Sequence, residues 1–428
     1  MKNIVASVGL VALGATGLQV GSVSAQSPTD ASKPWSLGAT LRGFYDDNVN
    51  SVPRGDPNHQ DSFGFEVSPN IVFAMSTEQT TASLNYQYTL KYYDKKPFGN
   101  SDNYDQDHDF TVLLTHSISP RYNLSVKDSF VIGQEPDFLR AGNTFTVFQR
   151  VPGSNIRNYG DITFNAQVTR LFGLEVGYNN SLYDYSDSGG NVISPSLSGT
   201  SDRLEHRAHV DAKWELQPQT TALLGYAYGQ VNFTGDEPIG LRGNGTAIMS
   251  ADRDWRSHYV YVGAEHHFRP DFSGSLKGGV TYTDNYNDPF TSETDLYPYV
   301  NASLTYAYAP ESTVSAGFTQ DISATDVVGS SGNGYARNME TSTLFASLNH
   351  RIMPKLFGGV IGQFQYGTFK GGSFDSNSEK YYLVGLSLEY RFNPHFSAAT
   401  GYNYDKLDSE IGRSFDKNRV FLGVTATY

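Results

Sequence analysis

Six short proline-bearing breaks constrain this chain more than any other feature. SPRY, QPQT, RPDF, APES, MPKL and NPHF carry Pro120, Pro218, Pro270, Pro310, Pro354 and Pro394, each between two strand-like runs. The residues before each proline align. Two before are Ile118, Leu216, Phe268, Tyr308, Ile352 and Phe392, and the positions six, eight and ten before are likewise apolar or aromatic in all six segments. The interleaved positions are mostly polar: five before stand Thr115, Lys213, Glu265, Thr305, Asn349 and Glu389. A period of two marks strands with one dry and one wet face.

The fourth position before each proline carries an amphipathic ring: His116, Trp214, His266, Tyr306, His350 and Tyr390. A ring with an apolar body and a polar edge suits a membrane–water interface, so these six form a candidate interface girdle. The apolar band spans eight residue steps, roughly 20 Å high for strands tilted by about 40°. A soluble sandwich gives alternation but does not need the same girdle on strand after strand.

Two breaks without proline, at Ser76–Thr80 and Phe172–Gly173, continue the series. Between breaks lie longer polar stretches such as 133–155, 186–201 and 234–254. Short turns at one end and long loops at the other predict an all-β fold, a transmembrane antiparallel up-and-down β-barrel. Strands counted from 36–48, 61–75 and 80–94 through to 417–428 number about eighteen, with sixteen as the alternative. An even count places both termini on the periplasmic side. Asp128 and Gln320 fall on the apolar face; they sit near the outer rim or follow a bulge that shifts register.

Composition agrees. The 428 residues include 42 Gly, 29 Tyr and 26 Phe but only 18% charged residues. Past the N-terminus no run of 18 apolar residues occurs, which excludes helical spans. There is no cysteine, hence no disulfide and no thiolate chemistry. A net charge of −13 without a basic cluster argues against nucleic-acid binding. Lys2, the apolar stretch 4–18 and Val23-Ser24-Ala25 read as a signal peptide, residues 1–25, leaving 26–428 as a single barrel. Export without cysteine points to the outer membrane of a Gram-negative-type bacterium. The last strand, with Val420, Leu422, Val424, Ala426 and Tyr428 on one face, resembles the signal that barrel assembly machinery recognises.

A barrel this wide encloses an aqueous lumen unless loops plug it. In 202–216, Arg203, Glu205, Arg207, His209, Asp211, Lys213 and Glu215 are seven successive ionisable residues on the wet face. Glu265, His267, Arg351, Glu389 and Arg391 join them near the periplasmic mouth. These twelve are the candidate lumen-lining residues. They either pass hydrophilic solutes or brace the wall as a salt-bridged network. Tyr259, Tyr261, Tyr297 and Tyr299 share that face and could stack on sugar rings. No catalytic motif stands out, and no cofactor or metal is implied. The acidic clusters Asp46-Asp47-Asn48 and Asp102, Asp105, Asp107, Asp109 could hold Ca²⁺ but read better as solvated loop charge.

Gly43–Val49 (GFYDDNV), Tyr86–Tyr93 (YQYTLKYY), Asp107-His108-Asp109 and Lys127–Phe130 (KDSF) resemble the β-barrel porin-2 group of outer-membrane proteins. The resemblance is clearest over roughly residues 1–140 and architectural beyond. It implies an outer-membrane porin-like channel for hydrophilic solutes and, because members are often linked to exopolysaccharide loci, a polysaccharide conduit. It carries over no catalytic residues. The alternative is a structural or adhesive barrel with a plugged lumen, acting through its outer loops.

Overall fold

The computed structural model describes residues 33–98, 102–134, 144–145, 155–290, 293–328 and 335–428. The signal peptide read over residues 1–25 lies outside them, as do most of the stretch 133–155 and the loop 329–334.

The barrel strands are β1 (Trp35–Asp46), β2 (Ser62–Ser76), β3 (Thr80–Tyr93), β4 (Tyr104–Ser119), β5 (Tyr122–Gly133), β6 (Asn155–Gln167), β7 (Phe172–Tyr185), β8 (Arg203–Gln217) and β9 (Thr220–Phe233). A small loop hairpin, β10 (Pro238–Leu241) and β11 (Ala247–Met249), follows. The wall continues with β12 (Trp255–Arg269), β13 (Phe272–Asn285), β14 (Glu293–Ala309), β15 (Ser312–Ala324), β16 (Asn338–Met353), β17 (Leu356–Lys370), β18 (Ser378–Asn393), β19 (Phe396–Ser409) and β20 (Phe415–Thr427). All eighteen wall strands belong to one antiparallel sheet, and β1 pairs with both β2 and β20, closing it. Eighteen, not sixteen, is the count. The hairpin and a five-residue helix, α1 (Leu197–Ser201), sit in stretches that read from sequence as plain loop.

The six proline turns are built alike. Each hairpin ladder shifts register just before its turn, as between Ser117 and Ser119, Glu215 and Gln217, or Arg351 and Met353. The residue two before the proline lies at this bulge. Proline suits the turn because its ring presets φ and the position needs no N–H. The break expected at Phe172–Gly173 lies instead at 168–171. Phe172 already pairs with Trp214, and the Thr169 hydroxyl accepts the N–H groups of Leu171 and Phe172, making the turn without proline.

Outward side chains are exposed: Val210, Trp214, Leu216, Val260, Val262, Leu304, Leu344, Leu386 and Leu388 among them. Their inward neighbours, such as Asp211, Leu223, Tyr259, Thr281 and Gln365, are buried. For a barrel in lipid this is the expected inversion of a soluble core. No bulge interrupts β5 at Asp128 or β15 at Gln320: both ladders of β5 run unbroken through Asp128, and the β15–β16 ladder runs unbroken through Gln320. Asp128 stays on the outer face and accepts a hydrogen bond from the Asn158 amide at 2.9 Å, while Gln320 donates to Glu340 at 2.8 Å.

One seam departs from the regular wall. The β14–β15 ladder ends at Val300 opposite Gln320, although β14 continues up to Glu293 along β13 and β15 up to Ala324 along β16. Above this point β15 parts from β14 while staying paired with β16. Ile322 and Ala324, on its outward-parity face, pack with the inward Val231, Phe233, Trp255 and Tyr297. The upper edge of β14 is guarded by Glu293, Asp295 and Pro298, residues that discourage further strand pairing.

Candidate functional site: the charged inner wall and the loop that crosses it

The inward face of β8 organises the site. Asp211 has no exposed surface; its Oδ2 accepts the Lys277 ammonium at 2.7 Å and its Oδ1 the Tyr261 hydroxyl at 2.5 Å. Lys213 donates to Glu175 at 2.8 Å and to Glu265 at 3.2 Å. His209 Nε2 lies 3.5 Å from the other Glu175 oxygen. Higher up, Arg207 donates to the Tyr259 hydroxyl at 2.6 Å and to Asp321 at 2.9 Å. Arg203, fully buried, pairs with Glu205 at 2.7 Å and lies over the Tyr183 ring.

Alternating signs give each buried charge an opposite partner, on the same strand for Arg203, on the adjacent β7 for Lys213, and as far away as β13 and β15 for Asp211 and Arg207. The Arg207–Asp321 contact adds a shape. β8 and β15 are five strand spacings apart, about 24 Å along a flat sheet at about 4.8 Å each. An arginine and an aspartate together cover less than half of that, so β15 must cut inward toward β8, as its parting from β14 above Gln320 allows.

The remaining candidates near the periplasmic mouth divide. Arg351 reaches Glu311 at 2.5 Å; Arg391 pairs with Glu389 at 3.1 Å and stacks on Phe357. Glu265 joins Lys213 in the β8 network, whereas Glu215 and His267 are exposed. The six girdle residues lie on the outward face just inside the turns. His116 and His266 bond the Thr80 and Thr220 hydroxyls, and His350 the Tyr308 hydroxyl. Trp214 packs on Phe172, Tyr306 on Phe272 and Tyr390 on Phe392.

The expectation that inward tyrosines stand ready to stack on sugars needs correction. Tyr259 and Tyr261 are 1% and 4% exposed, and Tyr297 is buried in the cluster at the seam, while Tyr299 stays half-buried and packs on Tyr259 and Tyr261. Tyr261 lies flat along the wall because its neighbours across both ladders, Gly225 and Gly279, leave room. A Cβ at Gly225 would meet the ring at 2.1 Å, and one at Gly279 would meet the Tyr261 backbone and Cβ. The same device recurs where Phe44 covers Gly64, His209 covers Gly177, Phe345 covers Gly317 and Phe421 covers Gly401. At these positions a glycine facing an aromatic ring lets that ring lie against the wall instead of rising into the lumen.

The acidic clusters are met by cations or amides. Asp46 bonds Arg419 and lies 3.2 Å from Lys417, Asp47 caps Asn418, and Asp107 faces Lys91. Glu175, His209 and Asp211 converge closely enough to suggest a metal site, but Lys213, Lys277 and Tyr261 occupy their oxygens, a donor set suited to ion pairing.

Two groups of residues were not foreseen from sequence. Phe145, from the segment between β5 and β6, is seated on β17. Its N–H donates to Gln365 Oε1 at 2.8 Å, Gln365 Nε2 donates to its carbonyl at 2.7 Å, and its ring packs edge-on against Tyr381. β17 is nine strands from β6 in either direction, so Phe145 sits against the wall opposite β6. At the outer mouth, buried Arg253 donates to the carbonyls of Thr200 and Thr325, tying three loops together. Burial and the nearby Arg203 press its pKa down. Arg413 joins Asp326 to Glu379. Asp202 and Asp254, just before β8 and β12, accept the N–H groups of Tyr185 and Phe233 at 2.7 Å, and burial pushes both carboxyls up to about 6.

The family model described as "Putative beta-barrel porin 2" matches residues 38–428. The chain belongs to that family. The match extends the resemblance from the first strands through the last, and with the closed barrel it makes this porin-2 member an outer-membrane, porin-like protein. No curated protein matches it. Among solved structures it is similar to the outer membrane protein opdK of Pseudomonas aeruginosa (10% identity, 92% of this chain and 99% of that one, TM-score 0.43). It is similar in the same degree to OccAB4 of Acinetobacter baumannii (13%, 92% and 99%, 0.43). A third is a ferric enterobactin receptor mutant of P. aeruginosa (11%, 92% and 80%, 0.43). These distant likenesses carry no argument about solute.

Proposed function

We propose that this barrel is a channel for small hydrophilic solutes, lined by a mixed-charge wall and narrowed where Phe145 sits. The observation that carries the reading is the seating of Phe145 on Gln365 and Tyr381, diametrically across from its own strands. A chain element seated on the inner wall of an 18-strand barrel narrows a wide hole, while paired charges of both signs accept dipolar and charged solutes without strong ion preference. Planar-bilayer recording tests this. The folded protein should conduct, and Phe145→Ala should raise single-channel conductance. Silence of both proteins, with folding confirmed, would remove the channel reading.

The tie of three loops by Arg253 favours a second reading, a barrel closed at its outer mouth that acts through those loops. Silent wild type with a conducting Arg253→Met variant would support it. For the finer suggestion of exopolysaccharide export, Phe145 must move aside; concentration-dependent current block by a soluble oligosaccharide would support it. We further infer that the C-terminal strand serves assembly, with the Tyr428 ring beside Trp35 and under the Lys33 ammonium at the short-turn end.

A further inference from the structure

The outer face carries an unassigned surface on β9, β12 and β13. Tyr228, His258 and Tyr282 lie directly opposite one another on these strands, and Gln230, Arg256 and Asp284 form the next row outward. The second row is planar and polar. Arg256 donates through Nε and Nη2 to one Asp284 oxygen at 2.9 and 2.7 Å, and Gln230 accepts the Tyr228 hydroxyl at 3.1 Å. His258 accepts or donates to the Tyr226 hydroxyl at 2.8 Å, packs edge-on with Tyr228 and lies tilted to Tyr282. His258 is eight residues outward from the girdle residue His266, about 20 Å higher for a tilted strand, where the hydrocarbon ends.

We propose that this sector docks the saccharide headgroup of an outer-leaflet glycolipid. Three features point to that occupant. The surface continues the lipid-facing band immediately below it, where Leu224, Val262 and Val280 are exposed, so acyl chains there place their headgroups at this height. Rings offer flat faces to the C–H side of a pyranose. Above them Arg256 and Asp284 pair through Nε, Nη2 and Oδ2, which leaves Nη1 as a donor and Oδ1 as an acceptor for adjacent hydroxyls, and the Gln230 amide, donating to Asn232 at 2.9 Å and to the Tyr286 hydroxyl at 3.3 Å, extends the polar row. Arg256 is paired with Asp284, so the surface has no net charge to favour a bare phosphate and suits hydroxyl recognition. A girdle that only marked the interface would be served by rings alone.

The test uses the full-length folded protein in detergent, with rough lipopolysaccharide as the saccharide-bearing probe and phosphatidylglycerol as the sugar-free control. Native mass spectrometry counts bound lipid, and heat unfolding is followed by gel mobility. Lipopolysaccharide should remain bound and raise the unfolding midpoint, phosphatidylglycerol should not, and Gln230→Ala/Arg256→Ala should weaken lipopolysaccharide retention at least tenfold. Tyr282→Leu, which keeps an apolar wall, is the second variant and should act in the same direction. Equal retention of both lipids, or unchanged retention in both variants, would overturn the proposal. Bilayer conductance of the variants should equal wild type, so failure here is distinguishable from failure of the channel reading.

Discussion

Asp211 and Lys277 lie 2.7 Å apart although their strands, β8 and β13, are separated by two others. The ammonium reaches over the flat-lying Tyr261 ring, 5.3 Å from its centre, to a carboxylate with no exposed surface. Lys277→Met leaves Asp211 with the tyrosine hydroxyl alone. Breaking a buried pair costs about 3–5 kcal/mol, and the 22% exposure of Lys277 puts this one near the lower end. Urea unfolding in lipid vesicles should show a loss of about 3 kcal/mol, partly restored by adding Asp211→Asn.

Gly225 sets how far Tyr261 stands from the wall. Gly225→Leu places a side chain where the ring lies, so the ring must rise into the lumen. The expected outcome is destabilisation by about 1–3 kcal/mol, the usual cost of overpacking, with lower conductance in bilayers. Gly243→Leu, where an added Cβ meets nothing within 4 Å, is the control and should change neither.

Parts of this arrangement were legible in the residues and parts were not. Period-two alternation and the proline turns carried the strand order, the count and the outward placement of the six rings because lipid and water impose them on every strand independently. Pairing such as Lys277 with Asp211 was invisible, because it depends on which strands curl toward one another. Tyr261 read as an exposed ring because its cradle comes from Gly225 and Gly279, on strands 36 and 18 residues away. The parting of β15 from β14 was hidden because Ile322 and Ala324 keep the lipid-facing parity while packing inside. The outer ring row, His108, His206 and His258, had a signal: each stands twelve residues before a turn proline, two steps beyond the last aligned position.

The seam gives a parity violation that labelling can read. Phe318 and Ile322 share a parity on β15, but only Ile322 is buried against the inner faces of β9, β12 and β14. In vesicles, Phe318→Cys should react with a membrane-soluble maleimide and Ile322→Cys should stay protected. Equal reaction at both positions would mean that β15 follows the wall to its end.

The outer clasp should tighten in mild acid. The carboxyls of Asp202 and Asp254 are raised to about 6, from an ordinary value of 3.8, by burial. Between about pH 4 and pH 6 the folded loops hold more protons than unfolded ones, so stability falls as pH rises through that window and the full penalty is present above it. Going from pH 7 to pH 5 should therefore slow opening at the amides of Tyr185 and Phe233, by up to about 1.3 kcal/mol per site. Hydrogen exchange corrected for intrinsic rate reads this, and Asp202→Asn/Asp254→Asn should flatten the dependence.

The central claim is that alternate residues of each strand meet hydrocarbon and water. Single cysteines along β8 in vesicle-reconstituted protein test it most directly. Cysteines at Ala208, Val210 and Ala212 should react with a lipid-confined photoprobe and resist a charged, water-soluble maleimide, while cysteines at His209 and Lys213 should show the reverse. Uniform labelling by the water-soluble reagent along all five positions would contradict the account.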